Sequence, residues 1–321
     1  MASVLYASAR AVSMEKTLLG EDRLKRMIDG NGEETLKILS EVGFGAGESG
    51  QGEIDAVSSI ETARLCAFIK ETAPDDKTAK FFLYPFDFKN AETLIKAKYL
   101  KTEPDLCSCG LFDVKSLKDK IFADAYATLP TYLGNALLAA DKSFVDKTES
   151  GQYINSLFTK ALYDELFALN LGKSYLGKVL LAKADMVNIG IALRMRDFDS
   201  AKSQFVHEGT VSKAELRSAC EDDFDKIREK FRFSDYKDEV FAALDGIESG
   251  KGLKDFEKMR DGFAVKTINK NKFSQEGDFP FIRYCFYKLA DIANARIILV
   301  GHAGGLTGEE ISERIREHYE G

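Results

Sequence analysis

Asp185-Met-Val-Asn188 stands inside an Ala- and Leu-rich stretch, and the chain repeats it on either side. Asp87-Phe-Lys-Asn90 begins 98 residues upstream and Asp291-Ile-Ala-Asn294 begins 106 residues downstream. After each copy come a glycine, a helix-capping residue and an apolar position that opens another helix. These are Gly110-Leu-Phe-Asp113-Val-Lys-Ser-Leu117, Gly209-Thr-Val-Ser212-Lys-Ala-Glu215-Leu216 and Gly304-Gly-Leu-Thr307-Gly-Glu-Glu310-Ile311. The last two have the form of capping boxes, in which a cap hydroxyl and a glutamate three residues on satisfy orphan amides at a helix start. Asp-x-x-Asn alone is a weak pattern, but two motifs recurring in one order every hundred residues or so mark an internal repeat. The gap from aspartate to glycine is 23, 24 and then 13 residues, so the third copy is expected to lack a loop. The repeat predicts three similar helical domains, at 1–120, 121–220 and 221–321.

On a helix, positions three apart share a face. Eleven residues make nearly three whole turns, so position +11 returns to that face, where the sequence supplies Lys98, Arg196 and His302. The resulting polar stripe is either offered to a partner or used to pin neighbouring loops by hydrogen bonds. Buried polar groups usually serve geometry, which favours the second reading.

The rest of the chain supports an all-α fold. Of 321 residues, 45% are hydrophobic and only 5 are proline, so helix formers dominate and breakers are few. Helical periodicity covers 13–42 in broken pieces, 53–73, 86–100 just after Pro85, 131–145, 152–170 and 174–198. It resumes over 214–231, 237–247, 253–260, 281–300 and 308–318, and no strand alternation interrupts it. The net charge of −7 without a basic stripe speaks against nucleic acid as a partner. The longest uncharged run, residues 125–140, is too short and too polar to span a bilayer. Arg10 arrives before a signal-peptide core can form. Five scattered cysteines fit a reducing compartment, and the expected location is cytoplasmic.

Catalytic signatures are weak. Gly45-Ala-Gly47-Glu-Ser-Gly50 matches a dinucleotide-loop pattern, but the segment before it is helical rather than a buried strand. Cys107-Ser-Cys109 offers half a metal site, with His207, His302 and His318 scattered far along the chain. His302-Ala-Gly-Gly305 lacks an accompanying nucleophile elbow. The acidic run Glu221-Asp-Asp-Phe-Asp225 reads best as the charged first turn of a helix. No cofactor, metal or small-molecule substrate is therefore expected. A magnesium-dependent helical enzyme using Glu221, Asp222, Asp223 and Asp225 is the enzymatic alternative, and a generic helical adaptor is the other.

The run Phe279-Pro-Phe-Ile-Arg-Tyr-Cys-Phe-Tyr-Lys-Leu-Ala-Asp-Ile-Ala-Asn-Ala-Arg-Ile-Ile-Leu-Val-Gly301 resembles the C subunit of V/A-type ATPases, which is similar to the d subunit of the vacuolar enzymes. Tyr284, Tyr287, Asn294, Arg296, Gly301, Glu309 and Glu310 match that family's C-terminal signature, and Tyr6-Ala-Ser-Ala-Arg10 matches its opening. The resemblance implies a funnel of three helical domains about a pseudo-threefold axis. Such a protein caps the cytoplasmic face of the membrane rotor ring and holds the foot of the central stalk. It transmits torque for proton or sodium transport, lies peripheral to the membrane and performs no chemistry. Loops carry contacts while helices carry shape, which places the expected partner contacts just after the caps, at Lys115, Glu215 and Glu310.

Overall fold

The structure is a computed structural model that describes residues 2–45, 54–147 and 150–319. In chain order its helices are α1 (Val4–Met14), α2 (Gly20–Asp29), α3 (Gly32–Glu41), α4 (Ile54–Thr72), α5 (Asp76–Leu100) and α6 (Val114–Phe122). They continue with α7 (Thr131–Asp146), α8 (Gly151–Ala168), α9 (Tyr175–Met195), α10 (Phe198–Ala201), α11 (Lys213–Glu221) and α12 (Phe224–Phe231). The last four are α13 (Lys237–Glu248), α14 (Lys254–Asn269), α15 (Phe279–Ala303) and α16 (Gly308–Ser312). Among the described residues every regular element is helical, so the chain is all-α. Most of the Gly45–Gly50 loop lies outside the described residues.

Side-chain caps set many of the helix starts. Ser3, Asn31, Asp113, Ser150, Ser174, Ser212, Asp223 and Thr307 each accept a first-turn amide. Both predicted capping boxes form: Glu215 returns to the Ser212 amide and Glu310 to the Thr307 amide, each at 2.8 Å.

Several helices differ from the sequence reading. The stretch expected as one helix over 214–231 is two, α11 and α12, because the Asp223 side chain caps a new start, and α14 runs on to Asn269, past the expected end at 260. Helix α5 begins ten residues before 86 and runs straight through Pro85. Proline removes one ladder hydrogen bond, but Phe81, Phe82, Leu83 and Tyr84 just before it are all buried, and their packing holds that turn in place. Helix α1 precedes residue 13, where helix was first expected, and buries Ala7 and Ala11. Helix α16 stops at Ser312 instead of reaching 318, because the residues beyond it leave the helix.

The chain gathers into two compact units, residues 1–75 with 241–321, and residues 76–240. The first joins the two ends of the sequence: α15 is flanked by α1 and α4, with α2, α3, α14 and α16 also against it. Its core is aromatic, with Phe68 against both Phe281 and Tyr284, and Phe279, Phe281 and Tyr287 fully buried. The second unit packs α5 against α6, α7 and α8, and α9 against α10 and α11.

Candidate functional site: three helix clips

The repeated Asp-x-x-Asn motifs build one device three times. On α9, the Asp185 carboxylate accepts the backbone N–H groups of Thr210 and Val211 at 2.8 and 2.9 Å, just before the Ser212 cap of α11. The hydroxyls of Thr210 and Tyr236 also donate to it, at 2.6 and 2.7 Å. Asn188, one turn on, accepts from the Val206 amide and donates to the His207 carbonyl. An asparagine side chain can mimic a peptide in this way, offering one donor and one acceptor to a loop.

On α5 the arrangement recurs. Asp87 accepts from the amides of Leu111 and Phe112 at 2.9 and 3.1 Å, just before the Asp113 cap of α6. Asn90 accepts from the Cys107 amide at 3.0 Å and donates to the Cys107 carbonyl at 2.8 Å. All four motif residues are buried. The glycines explain themselves in this geometry: a Cβ on Gly209 would stand 2.1 Å from an Asp185 oxygen, and one on Gly110 would stand 2.2 Å from an Asp87 oxygen. Only glycine lets the loop come that close.

The third copy departs from the sequence reading. Asp291 does not reach the loop at Gly304, whose nearest neighbours are carbonyl oxygens of its own helix. It accepts instead from the amide of Leu19, 2.9 Å away and 272 residues distant in sequence, at the start of α2. Asn294 still clamps a single residue downstream, taking the Arg316 amide at 2.9 Å and donating to its carbonyl at 3.1 Å. The loop expected to be missing from the third copy is thus supplied by the opening residues of the chain. No motif glycine precedes Leu19; Leu18 occupies that position and is buried.

Position +11 closes the other end of each clipped helix. Lys98 of α5 donates to Asp124, two residues past the end of α6, and to Asp141 and Tyr126. Arg196 at the end of α9 donates to the carbonyls of Ala219 and Asp222, in the last turn of α11 and at its C-cap. His302 of α15 hydrogen-bonds the carbonyl of Met27, in the last turn of α2, at 2.8 Å through Nε2. Because a carbonyl only accepts, that nitrogen carries the proton. Each long helix therefore holds a short one by an acid at its N-terminal end and a basic residue at its C-terminal end, as the helix dipole favours.

The third clip sits in a charged core. Lys288 and Glu61 form an ion pair at 2.7 Å, with both side chains almost fully buried. Burial alone would raise the Glu61 carboxyl, but the charge and hydrogen bond of Lys288, with donors from Gly45 and Arg64, hold it below its ordinary value. Lys288 also lies 4.1 Å above the ring of Phe44. Asp291 behaves in the opposite way. Burial pushes it up to about 7, and the Leu19 amide, Lys288 and Arg23 only partly oppose that.

The remaining candidates are surface or structural groups. Arg296 pairs with Asp55 of α4 on an exposed face, with nitrogens 3.0 and 3.1 Å from one oxygen. Lys115 is exposed on the first turn of α6, whereas Glu215 and Glu310 are engaged in their own capping boxes. In the acidic run, Glu221 pairs with Arg217, Asp222 accepts from Ser218, Asp223 caps α12 and pairs with Lys226, and Asp225 faces Arg228. Each carboxylate is thus tied to a residue within four positions. Among the described residues no group of three or more His, Cys, Asp or Glu side chains could hold a metal ion. Cys107 and Cys109 are not joined in a disulfide. No helix among the described residues is long and apolar enough to cross a membrane.

Comparison with known proteins places this arrangement. Residues 7–314 match the ATP synthase (C/AC39) subunit family. The C subunit of the A-type ATP synthase of Haloferax volcanii is 23% identical across 97% of this chain and 96% of its own length. The C subunit of the V-type sodium ATPase of Enterococcus hirae is 21% identical across 84% of this chain and 83% of its own. The corresponding A-type C subunit of Halorubrum lacusprofundi is 22% identical, with coverage of 97% and 96%. The chain belongs to the ATP synthase (C/AC39) subunit family, a non-catalytic component of the rotary V/A-type ATPases.

Proposed function

We propose that the chain links the central stalk of a rotary V/A-type ATPase to its membrane rotor ring and passes torque between them. It would sit peripherally on the cytoplasmic side, as three similar helical domains in a funnel about a pseudo-threefold axis. The sequence repeats at 1–120, 121–220 and 221–321 approximate those domains, with α2 lent to the third. The observation that carries this reading is the clip itself, present three times in a chain of this family. A part that transmits torque has to resist twisting. Tying each short helix to a long one at both ends, through buried or half-buried polar bonds, opposes sliding of one helix along the other. Such a part needs neither nucleotide nor metal. The relatives include a V-type sodium ATPase and A-type ATP synthases by name.

The test is coupling. Membrane vesicles carrying the complete complex should pump ions when given ATP. Removal of this chain should abolish pumping while the catalytic head continues to hydrolyse ATP. Pumping at the parent rate without the chain would overturn the reading.

A further inference from the structure

The three clips are alike in plan but unequal in hydrogen bonds. Asp185 takes four donors, two amides and two hydroxyls. Asp87 takes at least two donors, the amides of Leu111 and Phe112. Asp291 takes one amide, through Oδ2, and its Oδ1 is fully buried without a hydrogen-bond partner among the described residues. The other end of the same clip also differs in residue type: Lys98 and Arg196 close it in the first two copies, and His302 closes it in the third.

A buried carboxylate is stable as an anion only where donors replace its lost water. One amide is a thin replacement. The charged and titratable groups facing Asp291 are Arg23 from α2, Glu61 from α4, and Lys288 and Tyr284 from its own helix. Glu61 and Lys288 neutralise one another. Arg10 of α1 is engaged with Glu71 and Thr72, and Glu15 with Arg283. The charged side chains of α3, α14 and α16 are not buried.

We propose that the third clip is a proton-dependent latch, holding α2 and the opening residues of the chain to α15 when Asp291 is protonated and releasing them when it ionises. The closed latch binds the Asp291 proton more tightly than an open, hydrated carboxyl does. Its carboxyl titrates at about 7 when closed, against an ordinary value of 3.8. Rising pH therefore favours opening between those two values and has no further effect above the upper one. Gly20, directly after Leu19, has φ +65° with open space where a Cβ would stand, so the chain can turn there as α2 lifts.

Hydrogen exchange on the full chain tests this, with peptides covering residues 18–29, 111–122 and 210–221 compared after correction for intrinsic exchange. One linked proton predicts that protection of 18–29 falls by up to about 10-fold per pH unit from 5 to 7 and then levels off. The two other peptides, whose acids have fuller donor sets, should lack that slope. Asp291→Asn should flatten the slope in 18–29. Parallel pH dependence in all three peptides overturns the latch whether or not the variant folds. A slope in Asp291→Asn equal to that of the parent overturns it as well.

Discussion

Asp291 accepts the amide hydrogen of Leu19 across 272 residues of chain, and this one bond turns a linear repeat into a closed set. The first two copies are continuous in sequence: a long helix, a loop, then the short helix that the long one clips. The third long helix, α15, instead clips α2, a short helix more than 250 residues earlier in the sequence. The unit that combines residues 1–75 with 241–321 is the consequence.

Removing residues 1–19 should therefore damage the far end of the chain. It strips α1 from α15 and leaves Asp291 without its amide donor. The expected cost is about 3 kcal/mol or more, from lost packing and an unpartnered buried carboxyl. A melting temperature equal to that of the full chain would show that the third clip is dispensable.

The glycines distinguish the true clip loops from the apparent third one. Gly209→Ala drives a Cβ to 2.1 Å from an Asp185 oxygen and should destabilise by about 2 kcal/mol or more. Gly304→Ala, with its nearest contact at 3.3 Å, should cost far less. Equal losses in chemical denaturation would contradict the assignment of loops to clips.

The ion pair under the third clip makes a prediction about acid. Glu61 is held below its ordinary value, so its contribution to stability is complete above the unfolded carboxyl range. That contribution is lost as pH falls through the lower folded value. Lys288→Met leaves the buried Glu61 with only Arg64 and the Gly45 amide as partners and should cost about 3 kcal/mol, with much of the loss recovered by Glu61→Gln in the same chain. A double variant no more stable than Lys288→Met would mean that the two residues act independently.

Lys115 is the cleanest of the three proposed contact sites. Reversing Glu215 or Glu310 breaks a capping box and should lower stability by about 0.5–2 kcal/mol each without any partner present. Lys115→Glu disturbs no capping box, so its effect on assembly with ring or stalk subunits should come without a shift in melting temperature. Unchanged assembly in a pull-down would put the contacts elsewhere.

Much of this was legible in the sequence because it is local. The capping boxes at Ser212 and Thr307, the shared face of Asp and Asn, and the return of that face at Lys98, Arg196 and His302 follow from helix geometry alone. Partners distant in sequence were not legible. Nothing near Asp291 says that its donor is Leu19, and the tempting Gly304 lies at a natural spacing. The one available signal was the short third gap, which marked a missing loop without saying what replaced it. Pro85 misplaced the start of α5 for a related reason: a local rule yields when several buried aromatics pack the turn before the proline. The sparse donor set of Asp291 has no sequence signature.

Native mass spectrometry of the rotary complex, extracted from membranes through a tag on this chain, tests the central claim most directly. The account predicts that one copy of the chain is released together with both rotor-ring and central-stalk subunits, and that it remains bound to each when the other is stripped away. Recovery of the chain alone, or with only one of the two, would contradict its role as the link between them.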